Sequence, residues 1–163
     1  MSPDASPPDT RTARAIHDGL FTWPADEPRL IGSKCADCGT VTFPAQDSCP
    51  KCCSQNVAQH LLARRGTLWS WTIQGFPPKA PPYAGPVTPD RFQPFGVGYV
   101  ELAGEVIVET RLTESDPDKL AIGMAMELVI EPFDTDAPDV HNDDPVVTYA
   151  FRPVAGDDEC QRG

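Results

Sequence analysis

The chain has 163 residues, enough for one domain or for a small module joined to a slightly larger one. With 40% hydrophobic residues and 19 prolines it has little material for a large buried catalytic cavity. A formal charge of -11 and a pI near 4.5 oppose unspecific attraction to phosphate backbones, which must be neutralised by Lys and Arg.

That charge is unevenly spread. From Glu131 onward nine carboxylates face only Arg152 and Arg162, whereas between Arg29 and Arg65 five cations face only Asp37 and Asp47. The sequence has neither a charged start followed by an apolar run nor a stretch of about eighteen apolar residues, so a soluble, cytoplasmic protein is expected. In a reducing cytoplasm, six cysteines with close CxxC pairs read as metal ligands before they read as disulfides.

In chain order, residues 1–9 are a Pro- and Ser-rich lead expected to be disordered. Residues 10–29 are read as a short helix and linker, with Asp9 or Thr10 as cap, Ala13, Ile16 and Leu20 on one face, and Gly19 at the fraying end. Residues 30–57 hold two CxxC turns around the short apolar run Val41–Phe43, which predicts a hairpin folded about a metal. From Gln59 to Gln74 a β-prone series predicts one long bent strand, with Gly66 permitting a bulge. Trp69 and Trp71 alternate with Ser70, which places both on one face, packed in the core.

Residues 75–95 contain seven prolines and form a long loop, whose Phe76, Tyr83, Phe92 and Phe95 suit either a partner-facing surface or a plug that completes the core. Val97–Leu102 and Glu105–Leu112 flank Ala103-Gly104 as a hairpin. One helical turn over Asp116–Leu120, a strand over Met126–Ile130 and a last strand over Val146–Pro153 complete the series. Five strands with this spacing suit an OB-type barrel over residues 58–153, followed by an acidic tail over 154–163. The fold class is thus mainly β: an N-terminal short helix, a rubredoxin-like zinc ribbon and a five-stranded OB-fold barrel.

Cys35-Ala-Asp-Cys38-Gly39 and Cys49-Pro-Lys-Cys52-Cys53 are two knuckles, each offering two sulfurs, with ten residues between them. Four thiolates make the tetrahedral set that structural zinc prefers and leave no open position for water, so Cys35, Cys38, Cys49 and Cys52 are assigned to one structural Zn(2+). An iron site and a pair of disulfides are the rival readings, and Cys53 is the rival to Cys52 as fourth ligand. His17, His60 and His141 stand far apart, each better read as exposed or satisfied than as a general base. Asp143-Asp144 and Asp157-Asp158 read as solvated charge, and Cys160 as a free thiol. No nucleophile elbow or glycine-rich phosphate loop is present in the sequence.

The segments EPRLIGSKCADCGTVTFPAQDSCPKC, PPYAGP, PFGVGYVEL and KLAIGMAMELV, in this order, resemble the bacterial and archaeal zinc-ribbon OB-fold proteins that accompany thiolase-like enzymes, a family formerly classed as a domain of unknown function. The resemblance spans roughly residues 13–153. It implies a noncatalytic accessory subunit of a heteromeric thiolase, or of a retro-aldolase of the steroid side-chain type, in which the barrel helps to shape an acyl-CoA channel and the catalytic residues belong to the large partner chain. On that expectation Arg64, Arg65, Phe76, Lys79, Tyr83, Arg91 and Phe92 are the candidates to face the partner or CoA, the cations among them meeting CoA phosphate. A nucleic-acid-binding ribbon and barrel is the alternative, opposed by net acidity, and a stand-alone hydrolase is a third reading without a visible active site.

Overall fold

The computed structural model describes residues 12–136 and 145–155. The 1–9 lead, His141, Asp143-Asp144, Asp157-Asp158 and Cys160 lie outside these residues. Nine strands are present among the described residues: β1 (Arg14–Ala15), β2 (Ile31–Cys35), β3 (Val41–Thr42), β4 (Val57–Leu61), β5 (Arg65–Gln74), β6 (Phe95–Leu102), β7 (Val106–Leu112), β8 (Ala125–Pro132) and β9 (Val146–Pro153). A 3-10 turn, Pro117–Lys119, precedes β8, capped by the Asp116 side chain, which accepts from the Asp118 N–H.

Two sheets follow from these strands. β2 pairs antiparallel with β3 on one side and β4 on the other, forming the small ribbon sheet. The second runs β9-β7-β6-β5-β8 and closes on itself because β8 also pairs with β9, so the sequence-predicted five-stranded barrel is present. Closure leaves the barrel strands without a free edge, apart from short flanks such as the one β1 covers.

No α-helix is found over residues 12–29, the described part of the expected N-terminal helix and linker. Instead, β1 lies parallel to β9, with the Arg14 N–H donating to Pro145 O and the Ile16 N–H to Val147 O. The i, i+3, i+7 spacing of Ala13, Ile16 and Leu20 is too short a signal to outweigh a ready ladder of backbone partners on β9. Trp23 Nε1 donates to Ala13 O at 2.8 Å, which further fixes this segment as extended chain.

The long strand expected over 59–74 is two strands. Leu62 is fully buried and its N–H donates to Leu30 O, ending β4 in the ribbon, while β5 starts at Arg65 in the barrel. Gly66 is not the bulge; a Cβ there would lie 2.5 Å from Glu101 O, so glycine permits the close approach of β5 to β6. The bulge falls at Trp69, between the Leu68↔Val100 and Ser70↔Tyr99 pairs. One extra residue inverts the side-chain alternation. Leu68 therefore points into the core before the bulge, Trp71 and Ile73 pack against it after the bulge, and Trp69 is left 56% exposed. The expectation that both tryptophans share a core face is corrected accordingly.

One apolar core runs through both sheets, joining Leu30 and Leu62 to Leu68, Val100, Leu102, Met126, Leu128 and Phe151, all fully buried. An aromatic seam reinforces the junction: Phe43 of the ribbon and Phe21 of the N-terminal segment meet Tyr149 edge-on at 5.6 and 6.3 Å.

Candidate metal centre and ligand-facing surface

β2 ends at Cys35, and the chain turns back at once: the Gly39 N–H donates to Cys35 O at 2.9 Å, with Gly39 at φ 75°. The second knuckle repeats the turn, with the Cys53 N–H on Cys49 O at 2.9 Å and Cys53 at φ 59°. Cys53 thus occupies the left-handed position that glycine fills in the first knuckle. This gives it a backbone role and explains why it does not displace Cys52.

The sulfurs of Cys35, Cys38, Cys49 and Cys52 all lie within 4.8 Å of one another. Cys35 and Cys52 are 3.6 Å apart, Cys38 and Cys49 3.5 Å. A tetrahedron with metal–sulfur bonds of about 2.3 Å has edges of about 3.8 Å, so the thiol cluster fits one structural zinc ion held by all four. The same distances exceed the ~2.05 Å of a disulfide bond, and all four thiols are free. Cys35 and Cys49 are buried while Cys38 and Cys52 are exposed, so the centre sits at the tip of the ribbon.

The environment of the sulfurs favours the thiolate at Cys38 and Cys49 and opposes it at Cys52. The side chain and backbone of Thr40 hydrogen-bond Cys38 and lower its pKa to about 6. At Cys52 the Ser54 backbone pulls downward, but the neighbouring thiols of Cys38, Cys35 and Cys49 and burial prevail and push it up to about 12. Sulfurs this close resist joint ionisation, a repulsion that a divalent cation removes. The two knuckles are also clasped by polar groups: the Asp37 carboxylate accepts from the Ser54 hydroxyl and from Asn56 Nδ2, which together hold it below its ordinary pKa.

The remaining candidate residues fall into two groups. Arg64 and Arg65 stand where ribbon passes into barrel. Arg64 lines an open groove of about 340 Å³ with Trp23, Asp26, Leu128 and Arg152, and its buried Nε has no hydrogen-bond partner. Arg65 is exposed, 3.8 Å from Glu127. The others lie on the proline-rich loop. Phe76 is 71% exposed and Lys79 is exposed, whereas Tyr83 stacks on Phe95 with ring centroids 6.2 Å apart. Phe92 is buried edge-on against Phe95, and Arg91, though exposed, is held by Asp134 and Asp136, so these two anchor the loop. Arg111 lies 4.0 Å over the Phe95 ring and completes the anchor.

His60, satisfied as expected, contacts Glu105 Oε1 through Nε2 at 2.8 Å, and His17 is exposed beside Asp18 O. Trp69 and Tyr99, which sequence reasoning did not single out as surface residues, form an exposed edge-to-face pair at 6.3 Å. The bulge that separates the outward Trp69 from the inward Trp71 has no sequence signal of its own, since no glycine marks it.

A four-sulfur ribbon whose last strand leads directly into a closed five-stranded barrel defines a zinc-ribbon OB-fold protein. Residues 22–58 match the family model "ChsH2, rubredoxin-like zinc ribbon domain", and residues 59–131 match "ChsH2, C-terminal OB-fold domain". A DUF35 domain-containing scaffold protein of Pyrococcus furiosus is 31% identical over 77% of this chain and 84% of its own. The chain belongs to this ChsH2/DUF35 family. The benzoylsuccinyl-CoA thiolase subunit BbsA of Thauera aromatica is 28% identical over 94% of this chain and 98% of its own. Among solved structures, a chain of the Ltp2-ChsH2(DUF35) aldolase aligns with a TM-score of 0.53 and 29% identity, covering 77% of this chain and 84% of that one.

Proposed function

We propose that the chain is the small, noncatalytic subunit of a heteromeric thiolase-like enzyme, a thiolase or a retro-aldolase, acting on acyl-CoA thioesters. In this role it stabilises the large subunit and helps to enclose the CoA substrate. The observation that carries the reading is the likeness to a thiolase subunit over nearly the full length of both chains, and the likeness to the Ltp2-ChsH2(DUF35) aldolase agrees with it. A metal sphere filled by four sulfurs supports a scaffolding role for the zinc.

CoA carries phosphates and a pantetheine arm, so the cations and aromatics nearest the loop and the ribbon–barrel junction suit it. Arg64, Arg65 and Lys79 supply charge, and Phe76 and Tyr83 supply apolar surface. Arg91 and Phe92 serve by holding the loop in place. The nucleic-acid alternative is disfavoured by the outer barrel face, where Glu101 and Glu109 are exposed on strands that OB barrels use to bind oligonucleotides. The compartment we assign is the cytoplasm; no helix among the described residues is long and apolar enough to cross a membrane.

The test is to co-express the full chain with tagged thiolase-like proteins of the source organism. Co-elution, and carbon–carbon bond cleavage or formation on an acyl-CoA by the complex but not by the small chain alone, is the expected result. Failure to co-elute with any of them, with no change in their activity or solubility, removes the reading. Single-stranded DNA binding that survives moderate salt would favour the alternative.

A further inference from the structure

The outer face of the barrel carries a patch that the metal centre, the loop and the core do not use. Trp69 (56% exposed) on β5, Tyr99 (42%) on β6 and Ile107 (42%) on β7 lie on three consecutive strands, related by the Ser70↔Tyr99, Tyr99↔Glu109 and Glu101↔Ile107 pairs. On the other flank of β5, the Gly123 N–H donates to Leu68 O at 2.8 Å, which brings the turn bearing Ile122 (71% exposed) beside the same strand. Four of the seven large hydrophobic residues exposed among those described are gathered here. A patch of this kind, with an exposed Trp and Tyr at its centre, has the composition of the energetically dominant part of a protein interface.

The surrounding charge selects the occupant. Glu101 and Glu109 flank the aromatics, and neither forms an ion pair among the described residues; the Glu109 carboxylate accepts from the Tyr99 hydroxyl at 3.4 Å, and its backbone carbonyl from the Tyr149 hydroxyl. An acidic rim around an apolar centre is repelled by nucleic acid and by anionic lipid, and a second copy of this chain would oppose the same acidic face to itself. The complementary surface is a protein with an apolar recess edged by Lys or Arg.

We propose that the Trp69–Tyr99–Ile107 face, rimmed by Glu101 and Glu109, is the surface that docks on the large thiolase-like subunit, which meets it with a basic-edged apolar recess. The inference rests on the functional reading above and adds the place and chemistry of contact. The bulge at Trp69 lets the indole stay outward beside the buried Leu68 while Trp71 and Ile73, past the shift, pack against the core.

The test uses the full chain and a thiolase-like protein that binds it, comparing wild type, Trp69→Ala, the Glu101→Lys/Glu109→Lys double variant and Leu61→Ser, each checked for zinc content and circular dichroism. Trp69→Ala and the charge reversal are expected to weaken the complex at least about tenfold, while Leu61→Ser, an exposed apolar residue of β4 away from this face, leaves affinity unchanged. Added salt should weaken the wild-type complex more than the charge-reversed one. Unchanged affinity in both face variants overturns the docking surface and leaves the subunit reading intact. Absence of binding by wild type to every thiolase-like protein removes the subunit reading and this inference with it. Concentration-dependent dimerisation of the chain alone, lost in Trp69→Ala, also overturns it, in favour of self-association.

Discussion

Glu105, at the tip of the β6–β7 hairpin, reaches across to the ribbon and binds His60: Oε1 lies 2.8 Å from His60 Nε2, while Oε2 accepts the Ala63 N–H at 2.8 Å. A single carboxylate therefore joins the last ribbon strand, the linker and the barrel. Removing it leaves a backbone donor without a partner where the two modules meet.

Glu105→Ala is expected to cost about 1–3 kcal/mol, the price of leaving a partly buried donor unpaired, read as a fall in denaturation midpoint with an unchanged slope. Burial alone would raise the Glu105 pKa, but the Ala63 N–H and His60 outweigh it and hold the carboxyl below its ordinary value. A carboxylate depressed in the folded state stabilises above its unfolded pKa, here about 4.5, and loses that contribution as pH falls through the folded value. The gap between wild type and Glu105→Gln should therefore be widest near neutrality and close on acidification below about pH 4.5. A gap that does not change with pH would exclude this linkage.

Arg111 and Glu131 form the complementary case, with Arg111 Nε 3.7 Å from Glu131 Oε1 and the guanidinium over Phe95. Burial raises the Glu131 pKa and Arg111 opposes the rise. A carboxyl whose folded pKa is raised favours the fold when protonated and loses that advantage as pH climbs through the folded value. In Arg111→Met the opposing cation is gone. The variant is expected to lose about 1–3 kcal/mol near pH 7 and to recover part of it toward pH 4, as thermal melts across that range will show.

Cys53 at φ 59° gives a prediction in the stabilising direction. Replacing a residue with a Cβ by glycine in the left-handed region relieves about 1 kcal/mol, so Cys53→Gly should melt slightly higher than wild type while still holding one zinc per chain. Loss of zinc from Cys53→Gly would instead make Cys53 a ligand. Elemental analysis beside calorimetry distinguishes the two.

Cys35→Ser or Cys49→Ser removes a buried sulfur from the cluster and should abolish stoichiometric zinc and unfold the ribbon. A strong chelator should have the same effect on wild type. Because Leu30 and Leu62 of the ribbon side belong to the barrel core, the barrel should melt at a lower temperature as well. Zinc content and near-ultraviolet circular dichroism follow both changes.

The residues that give zinc its ligands, the glycine after the first knuckle and the Ala103-Gly104 hairpin were legible in the sequence because each is a local matter. Two sulfurs on a three-residue turn, or a turn that needs φ above zero, are set by neighbours a few positions away. The order of the barrel strands was legible for the same reason, through alternation and turn residues. Three features were not: β1 where a helix was expected, the break at Leu62 between ribbon and barrel, and the outward turn of Trp69. Each depends on a partner distant in the chain: the free edge of β9, the Leu30 carbonyl, and the register of β6. Local propensity favours an element by tenths of a kcal/mol per residue, whereas a buried backbone group left unpaired costs more than that, so the long-range partner decides. The sequence by itself determined what this protein is built from and the metal that holds its ribbon. The tertiary structure alone decided which aromatic side chains were spared from the core and left facing outward, because burial is settled by strand register and closure of the barrel.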